Sequence, residues 1–195
     1  MKLILASTSP GRKKVLEDAG LTFDIVPSDF EEDMSLAMPS HDLAMHLSKG
    51  KAEAVARPLW GTDAIIIGAD TFGVFENTFL GKPHTEKNAT DMLKMLSDGV
   101  HSMVSGVTVI NAKENLQITK SAETKIWFRH IPEHEIEAYV KTGESLTKAG
   151  GYAYQGAGHT FVKKIEGSES NIMGLPIELV LTMLTEVGYP INFYM

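Results

Sequence analysis

Asp63-Ala64-Ile65-Ile66-Ile67-Gly68-Ala69-Asp70-Thr71 is the stretch that decides the fold class. Its Ala-Ile-Ile-Ile-Gly core is apolar at every position rather than at every second one. Such a strand, read here over Asp63–Ala69, is central and buried on both faces, as in an α/β sheet. Outward from it, helix and strand signals alternate. Leu3–Ala6 is a short buried strand. Ser9 caps a helix that Pro10 begins, with Val15, Leu16 and Ala19 facing the core and Gly20 closing it. Phe23–Val26 is a second strand, Ser28 to Met38 an acidic loop, and Ser40 caps a helix to about Ala56. After the central strand, Phe72–Phe75 and Thr78–Leu80 form a hairpin around Glu76-Asn77, and Thr85 caps a helix with Ala89, Met92, Leu93 and Leu96 on one face. Strands near His101–Ile110 and Gln117–Phe128 follow, then a helix from Pro132 with Ile136, Tyr139 and Val140 inward. A small-residue loop (Thr142 to Gly158), a strand (Phe161–Ile165) and a helix from Pro176 complete an α/β pattern with no clear linker. Ile177, Val180, Leu181, Leu184 and Val187 line that last helix. One domain over 1–195 is expected.

The 195 residues are 43% hydrophobic, enough for one sizeable core, and 18 Lys+Arg against 25 Asp+Glu give a net charge of −7. That balance argues against a duplex nucleic-acid binder, which needs a broad basic face. The absence of cysteine removes disulfides, thiol nucleophiles and Cys-based metal sites and fits a cytoplasmic setting. No run is long enough to span a membrane, and Leu3 to Ala6 is too short for a secretory core.

Several fragments carry chemistry. Ser7-Thr8-Ser9-Pro10-Gly11-Arg12-Lys13 joins a strand to a helix N-terminus, where free N–H groups, hydroxyls and two cations can cradle phosphate. Read alone, a capped helix with solvated Arg12 and Lys13 is the leading account, because caps of this type are common. Asp70 closes the most apolar strand, where α/β proteins place ligands, and can hold a metal or activate water; an Asp that merely starts a turn is the equal alternative. Lys51 lies on the face of Leu43 and Leu47, so it points inward or to a cleft edge, where a buried lysine needs an anion, unless it snorkels at the helix end, as lysines frequently do. Leu80-Gly81-Lys82-Pro83 could aim one ammonium into a cleft, but read alone a plain turn is the leading account, and it is not a Walker A loop. Glu31-Glu32-Asp33 offers oxygen ligands, although most such triplets are simply solvated. Gln155, in a Gly- and Tyr-rich loop after Lys148, has the paired donor and acceptor that read a base edge. His134-Glu135 opens an HExxH pattern that Ala138 breaks.

In this order, from Lys2 to Pro176, the fragments resemble the Maf family of nucleoside triphosphate pyrophosphatases. Ala6-Ser7-Thr8-Ser9-Pro10-Gly11-Arg12 is similar to the family's opening A-S-x-S-P-R-R; Lys51-Ala52, Gly68-Ala69-Asp70-Thr71, Gly81-Lys82-Pro83, Lys148-Ala149-Gly150 and Gly174-Leu175-Pro176 match the rest. The resemblance implies an elongated, two-lobed α/β fold with a central twisted mixed sheet, like that of inosine triphosphate pyrophosphatases. It implies hydrolysis of nucleoside triphosphates to monophosphate and pyrophosphate, with a divalent cation, Mg²⁺ or Mn²⁺, and a homodimer. On the same basis Asp70 is the catalytic base, Glu32 and Asp70 hold the metal, and Ser7, Ser9, Arg12, Lys13, Lys51, Lys82, Thr71 and Gln155 bind substrate. Gly11, Thr71 and Gln155 match the three positions that sort substrates. Members acting on dTTP and UTP carry Arg, Thr or Ser, and Gln there, so Gly11 departs while Thr71 and Gln155 agree. The expectation is hydrolysis of dTTP, UTP and modified pyrimidine nucleotides, relaxed by the missing arginine. The alternative is a non-catalytic nucleotide-binding regulator of cell division.

Overall fold

The computed structural model describes residues 1–191. A seven-stranded mixed sheet runs in the order β2-β1-β3-β5-β6-β7, with β4 on β3. The strands are β1 (Lys2–Leu5), β2 (Asp24–Ile25), β3 (Ala64–Phe75), β4 (Thr78–Leu80), β5 (Val100–Asn111), β6 (Leu116–Phe128) and β7 (Val162–Glu166). The helices are α1 (Pro10–Asp18), α2 (Ser40–Ala56), α3 (Glu86–Leu96), α4 (Glu133–Val140), α5 (Glu169–Ile172) and α6 (Ile177–Glu186). β1 is parallel to β2 and β3; β4 and β7 are antiparallel to β3 and β6.

The chain forms two compact units. The first comprises Met1–Thr71, Ser105–Ala122 and the chain from Met173; the second comprises Phe72–Val104 and Glu123–Ile172. In the first unit, β1 and β3 are buried on both faces, as the apolar run of β3 requires. Leu3, Leu5, Ile65 and Ile67 pack with Val15 and Leu16 of α1 and Val180, Met183 and Leu184 of α6. The alternate residues Ile4, Ala64 and Ile66 pack with Ala52, Val55 and Ala56 of α2. α2 lies close on the sheet because two glycines face it. A Cβ on Gly68 would stand 2.5 Å from the Ser48 carbonyl oxygen, and one on Gly106 only 2.0 Å from that of Ala44. In the second unit, Ala89, Leu93 and Leu96 of α3 meet Ile136, Tyr139 and Val140 of α4 over Ile126, Phe128, Tyr152 and Phe161.

Local expectations hold at the Ser9 and Thr85 caps and at the Glu76-Asn77 turn, where both residues adopt positive φ (47° and 64°) as a tight hairpin demands. Others are corrected. Ala19 is exposed, because α1 ends at Asp18 and Gly20 turns the chain. Ser40 is the first residue of α2 and Pro39 holds the cap position without a side-chain bond. Val187 lies past the end of α6, whose fully buried residues include the unforeseen Met183. The strand expected to end at Ala69 continues unbroken to Phe75, because β4 pairs with Gly73, Val74 and Phe75. Asp70 therefore lies within a strand, not at its end. No described helix is long and apolar enough to cross a membrane.

A buried histidine marks the second unit. His101 Nε2 is 2.9 Å from the Tyr152 hydroxyl, Nδ1 has no partner, and the ring packs edge-on against Phe128 and Tyr152. Burial pushes its pKa from 6.5 down to about 4. The unfolded chain therefore takes up a proton below pH 6.5 that the folded chain refuses until about pH 4. Stability from this group is present above 6.5 and is lost as pH falls through that window, by about 3 kcal/mol. The urea midpoint of wild type is expected to fall relative to that of His101→Phe as pH drops from 7 to 4; a constant difference would show that His101 does not titrate on unfolding.

Candidate active site

The first unit gathers its polar residues where β1 stops. β1 pairs with β3 as far as Leu5 and Ile67, and the Ala6 N–H still bonds the Ile67 carbonyl at 2.8 Å. The chain then leaves through Ser7 toward α1, while β3 runs on through Asp70. This exit leaves the carboxylate beside the α1 N-terminus instead of under a neighbouring strand.

Four charged groups meet there, three of them buried. The Lys51 ammonium donates to Asp70 Oδ1 and is 2.7 Å from Glu32 Oε1. Arg12 Nη2 lies 4.0 Å from Asp70 Oδ1. The residues Lys51, Asp70 and Arg12 are 8, 6 and 9% exposed, whereas the Glu32 side chain is 48% exposed. Lys51 reaches this point because Leu43 and Leu47 carry its helical face inward, and because Gly68 and Gly106 let α2 settle close to the sheet. Two cations against two carboxylates leave the cluster near neutral, which makes burial tolerable. Burial lowers the pKa of the Arg12 guanidinium, and the charges of Asp70 and Glu32 oppose that shift. Arg12 nevertheless remains cationic, as guanidinium does in proteins.

Arg12 is aimed by its other donors. Nε donates to the Gly174 carbonyl at 3.0 Å, and Nη1 to Ser7 Oγ at 3.0 Å. Ser7 Oγ also accepts from the Ser9 N–H at 3.2 Å, and Ser9 Oγ from the Arg12 N–H at 3.5 Å. The Gly174 carbonyl accepts again, at 3.0 Å, from Thr71 Oγ1, which lies 2.5 Å from Ser105 Oγ. A peptide carbonyl thus ties Arg12 to Thr71.

The first unit therefore brings together Ser7, Ser9, Arg12, Glu32, Lys51, Asp70 and Thr71. It does not bring in Lys13, whose ammonium lies 3.5 Å from Glu17 on the exposed side of α1. A signal for this existed: Arg12 precedes Val15 and Leu16 by three and four residues, whereas Lys13 precedes Glu17 by four. Of the acidic triplet, Glu32 makes the ion pair with Lys51 and Asp33 bonds Ser35. Gly11 has a structural reason: a Cβ there would stand 2.4 Å from the Met173 carbonyl oxygen. The departure from arginine thus accompanies a close approach of α1 to Met173-Gly174, the segment whose Gly174 carbonyl aims Arg12. Ser105 was not foreseen; its one signal is a hydroxyl beside Gly106, between Val104 and Val107 of β5.

Lys82 and Gln155 belong to the second unit, and both are exposed. Their segments are tied together there: the Gly150 N–H bonds the Gly81 carbonyl and the His84 N–H bonds that of Leu146, each at 3.2 Å. Gly150, at φ 76°, makes the turn that admits this approach.

Two carboxylates converge on one cation, the Lys51 ammonium. Two hard oxygen donors suit a small divalent ion that completes its shell with phosphate oxygens and water. Among the described residues, no group of three or more His, Cys, Asp or Glu side chains forms a cage. Asp70 and Glu32 are the two oxygen donors that this site would offer a divalent cation.

Residues 2–187 match the family described as Maf-like protein. A dTTP/UTP pyrophosphatase of Thermoanaerobacter sp. (strain X514) is 42% identical over 184 residues, covering 94% of this chain and 95% of that protein. The dTTP/UTP pyrophosphatase of Clostridium beijerinckii is 42% identical over 188 residues, covering 96% of this chain and all (100%) of that one. That of Bacillus cereus (strain AH820) is 41% identical over 191 residues, covering 98% of each. Among solved structures, a HAM1 protein from Coxiella burnetii aligns with TM-score 0.46 at 15% identity, over 95% of this chain and 99% of that one.

Proposed function

The chain belongs to the Maf-like protein family, and from that membership we propose that it is a nucleoside triphosphate pyrophosphatase acting on dTTP and UTP. Water is added across the bond between the α- and β-phosphates: a P–O bond to the water oxygen forms, the bridging bond breaks, and a nucleoside monophosphate and pyrophosphate leave. The observation that carries the reading is the convergence of Lys51 and Arg12 on Asp70, with Glu32 paired to the same Lys51, at the point where β1 departs. Asp70 accepts the proton of the attacking water at a carboxylate oxygen. Arg12, aimed by Gly174 and Ser7, keeps N–H donors for phosphate oxygens, and Lys51 adds a second cation. At the start of α1, Pro10 has no N–H and the Arg12 and Lys13 N–H groups bond Ser9, so the Gly11 N–H is the donor of that turn open to the same anion. Asp70 and Glu32 would hold Mg²⁺ or Mn²⁺, which supplies charge neutralisation on the phosphates. We extend the proposal to Lys82 and Gln155 as substrate contacts on the family motif alone, and on the same ground to a homodimer working in the cytoplasm.

The test is a nucleotide panel with Mg²⁺ or Mn²⁺ in ¹⁸O-labelled water, scoring pyrophosphate apart from orthophosphate. Pyrophosphate and one labelled product from dTTP and UTP are expected, faster than from 7-methyl-GTP. Orthophosphate release would mean that another bond is cut. Faster turnover of 7-methyl-GTP would overturn the substrate assignment. No product from folded protein would favour a nucleotide-binding regulator.

A further inference from the structure

Glycine is a poor helix former, yet Gly50 sits in the interior of α2, directly before Lys51. What it makes room for is one side chain: a Cβ there would stand within 2.6 Å of three carbons of the Phe30 ring. The half-buried ring also meets His46, one helical turn before Gly50 on the same face of α2, edge-on at 6.3 Å. Phe30 thus lies in a notch that the missing Cβ opens along the helix.

Phe30 belongs to the acidic segment between β2 and α2. Other bonds described for that segment are local. The Phe30 N–H donates to Ser28 Oγ at 3.2 Å, and the Ser35 N–H and hydroxyl donate to the Asp33 carboxylate at 2.9 and 2.6 Å. The segment reaches the site through Glu32, whose half-exposed carboxylate is 2.7 Å from the Lys51 ammonium. An ion pair so open to water holds a loop weakly. A packed aromatic ring holds it better. The two contacts are neighbours on both segments: Phe30 stands two residues before Glu32, and Gly50 one before Lys51. A shift of the ring therefore moves the carboxylate.

We propose that Phe30, seated in the notch of Gly50, is a positioning residue that holds Glu32 over the site, so that its carboxylate stands ready with that of Asp70 for a divalent cation. The proposal rests on the nucleotide reading of this site and deepens it. On a loop held only by its ion pair, Glu32 would have to be ordered at each binding event, and that ordering weakens binding. The seated ring removes the cost before the cation arrives. The notch also sets stability and binding in opposition. The methyl of Gly50→Ala improves the helix propensity of α2 and meets the end of a side chain, which can swing aside, rather than backbone. The fold gains while the loop loses its seat.

The experiment titrates Mn²⁺ in the presence of α,β-methylene-dTTP, reading the bound ion by electron paramagnetic resonance, and records thermal melting. It compares wild type with Gly50→Ala, Phe30→Leu, Phe30→Ala, Glu32→Gln, and Gly50→Ala combined with Glu32→Gln. Gly50→Ala and Phe30→Ala are expected to raise the Mn²⁺ Kd about tenfold, the cost of ordering the loop. Phe30→Leu, which keeps an apolar side chain over an open Gly50, should fall between them and wild type. Gly50→Ala is expected to melt no lower than wild type. Glu32→Gln should lose at least as much affinity, and adding Gly50→Ala to it nothing further, because both act through one carboxylate. In turnover the loss is expected in the Mn²⁺ concentration for half-maximal rate, not in kcat at saturating Mn²⁺. Unchanged Mn²⁺ affinity in Gly50→Ala and Phe30→Ala, or in Glu32→Gln, would overturn the proposal. So would additive losses in the combined variant, or a Gly50→Ala protein that melts lower and loses affinity only in step with its unfolded fraction. If the titrations come out as expected and no triphosphate is hydrolysed, the catalytic reading fails while the proposal stands.

Discussion

Asp70→Asn is expected to lower kcat for dTTP and UTP about 10³-fold, because an amide cannot accept the proton that a positioned carboxylate takes from water. Affinity for α,β-methylene-dTTP should be retained or improved, since the substitution removes a negative charge beside the phosphates while Arg12 and Lys51 remain. The fold should survive. Removing one partner of a buried ion pair costs about 3–5 kcal/mol when it strands the other. Here Lys51 keeps Glu32 at 2.7 Å, and Arg12 keeps Ser7 and Gly174, so the loss should fall below that range. Measuring kcat, analogue affinity and melting together separates the roles. A rate within tenfold of wild type would remove Asp70 as the base. A parallel loss of binding would make it a structural counter-ion instead.

Gly106→Ala is expected to destabilise the fold more than either Gly68→Ala or Gly81→Ala. The added methyl would meet the Ala44 carbonyl oxygen at 2.0 Å and its carbon at 2.2 Å. Both belong to the backbone of α2, which can yield only by moving as a helix. Overpacking of this kind costs about 1–3 kcal/mol and more when backbone must shift, so a fall in melting temperature near 10 °C is expected. Gly68→Ala repeats the test one strand away, with the Ser48 oxygen at 2.5 Å and the Ala52 amide nitrogen at 2.7 Å. Gly81→Ala is the control, because nothing lies within 4 Å of its added Cβ. Moving α2 also withdraws Lys51 from Asp70, so turnover should fall below what the remaining folded fraction supports. Melting curves for Gly106→Ala and Gly68→Ala that superimpose on that of Gly81→Ala would show that α2 is not held where the structure has it.

These two expectations differ in how far the chain alone foretells them. Asp70 is visible as a carboxylate after the most apolar run of the sequence, although its neighbourhood is not. The strand reading from Ala64 to Ile67, the two-sided burial of β1, the Ser9 and Thr85 caps and the turn at Glu76-Asn77 all follow from a few adjacent residues. Lys51 on the face of Leu43 and Leu47 follows from helical period, and so does the inward turn of Arg12 against the outward turn of Lys13. Each depends on sterics or on spacing within about one or two turns, which the chain carries wherever it folds.

The sequence by itself thus determined the α/β class, the main buried faces and the residue types available for phosphate chemistry. Only the tertiary structure decided which of them meet. It chose Glu32 from its acidic triplet, gave Lys51 and Asp70 to each other across 19 positions, and set the Gly174 carbonyl against Arg12 across 162. It also assigned Ser105 to Thr71, and gave Gly11, Gly68 and Gly106 their purpose as places where backbone approaches too closely for any Cβ. The physical reason is range. Propensity and periodicity act over neighbouring residues, whereas a hydrogen bond between distant segments depends on how close whole elements can pack, and that distance is set by small residues that carry no signal of their own in the chain.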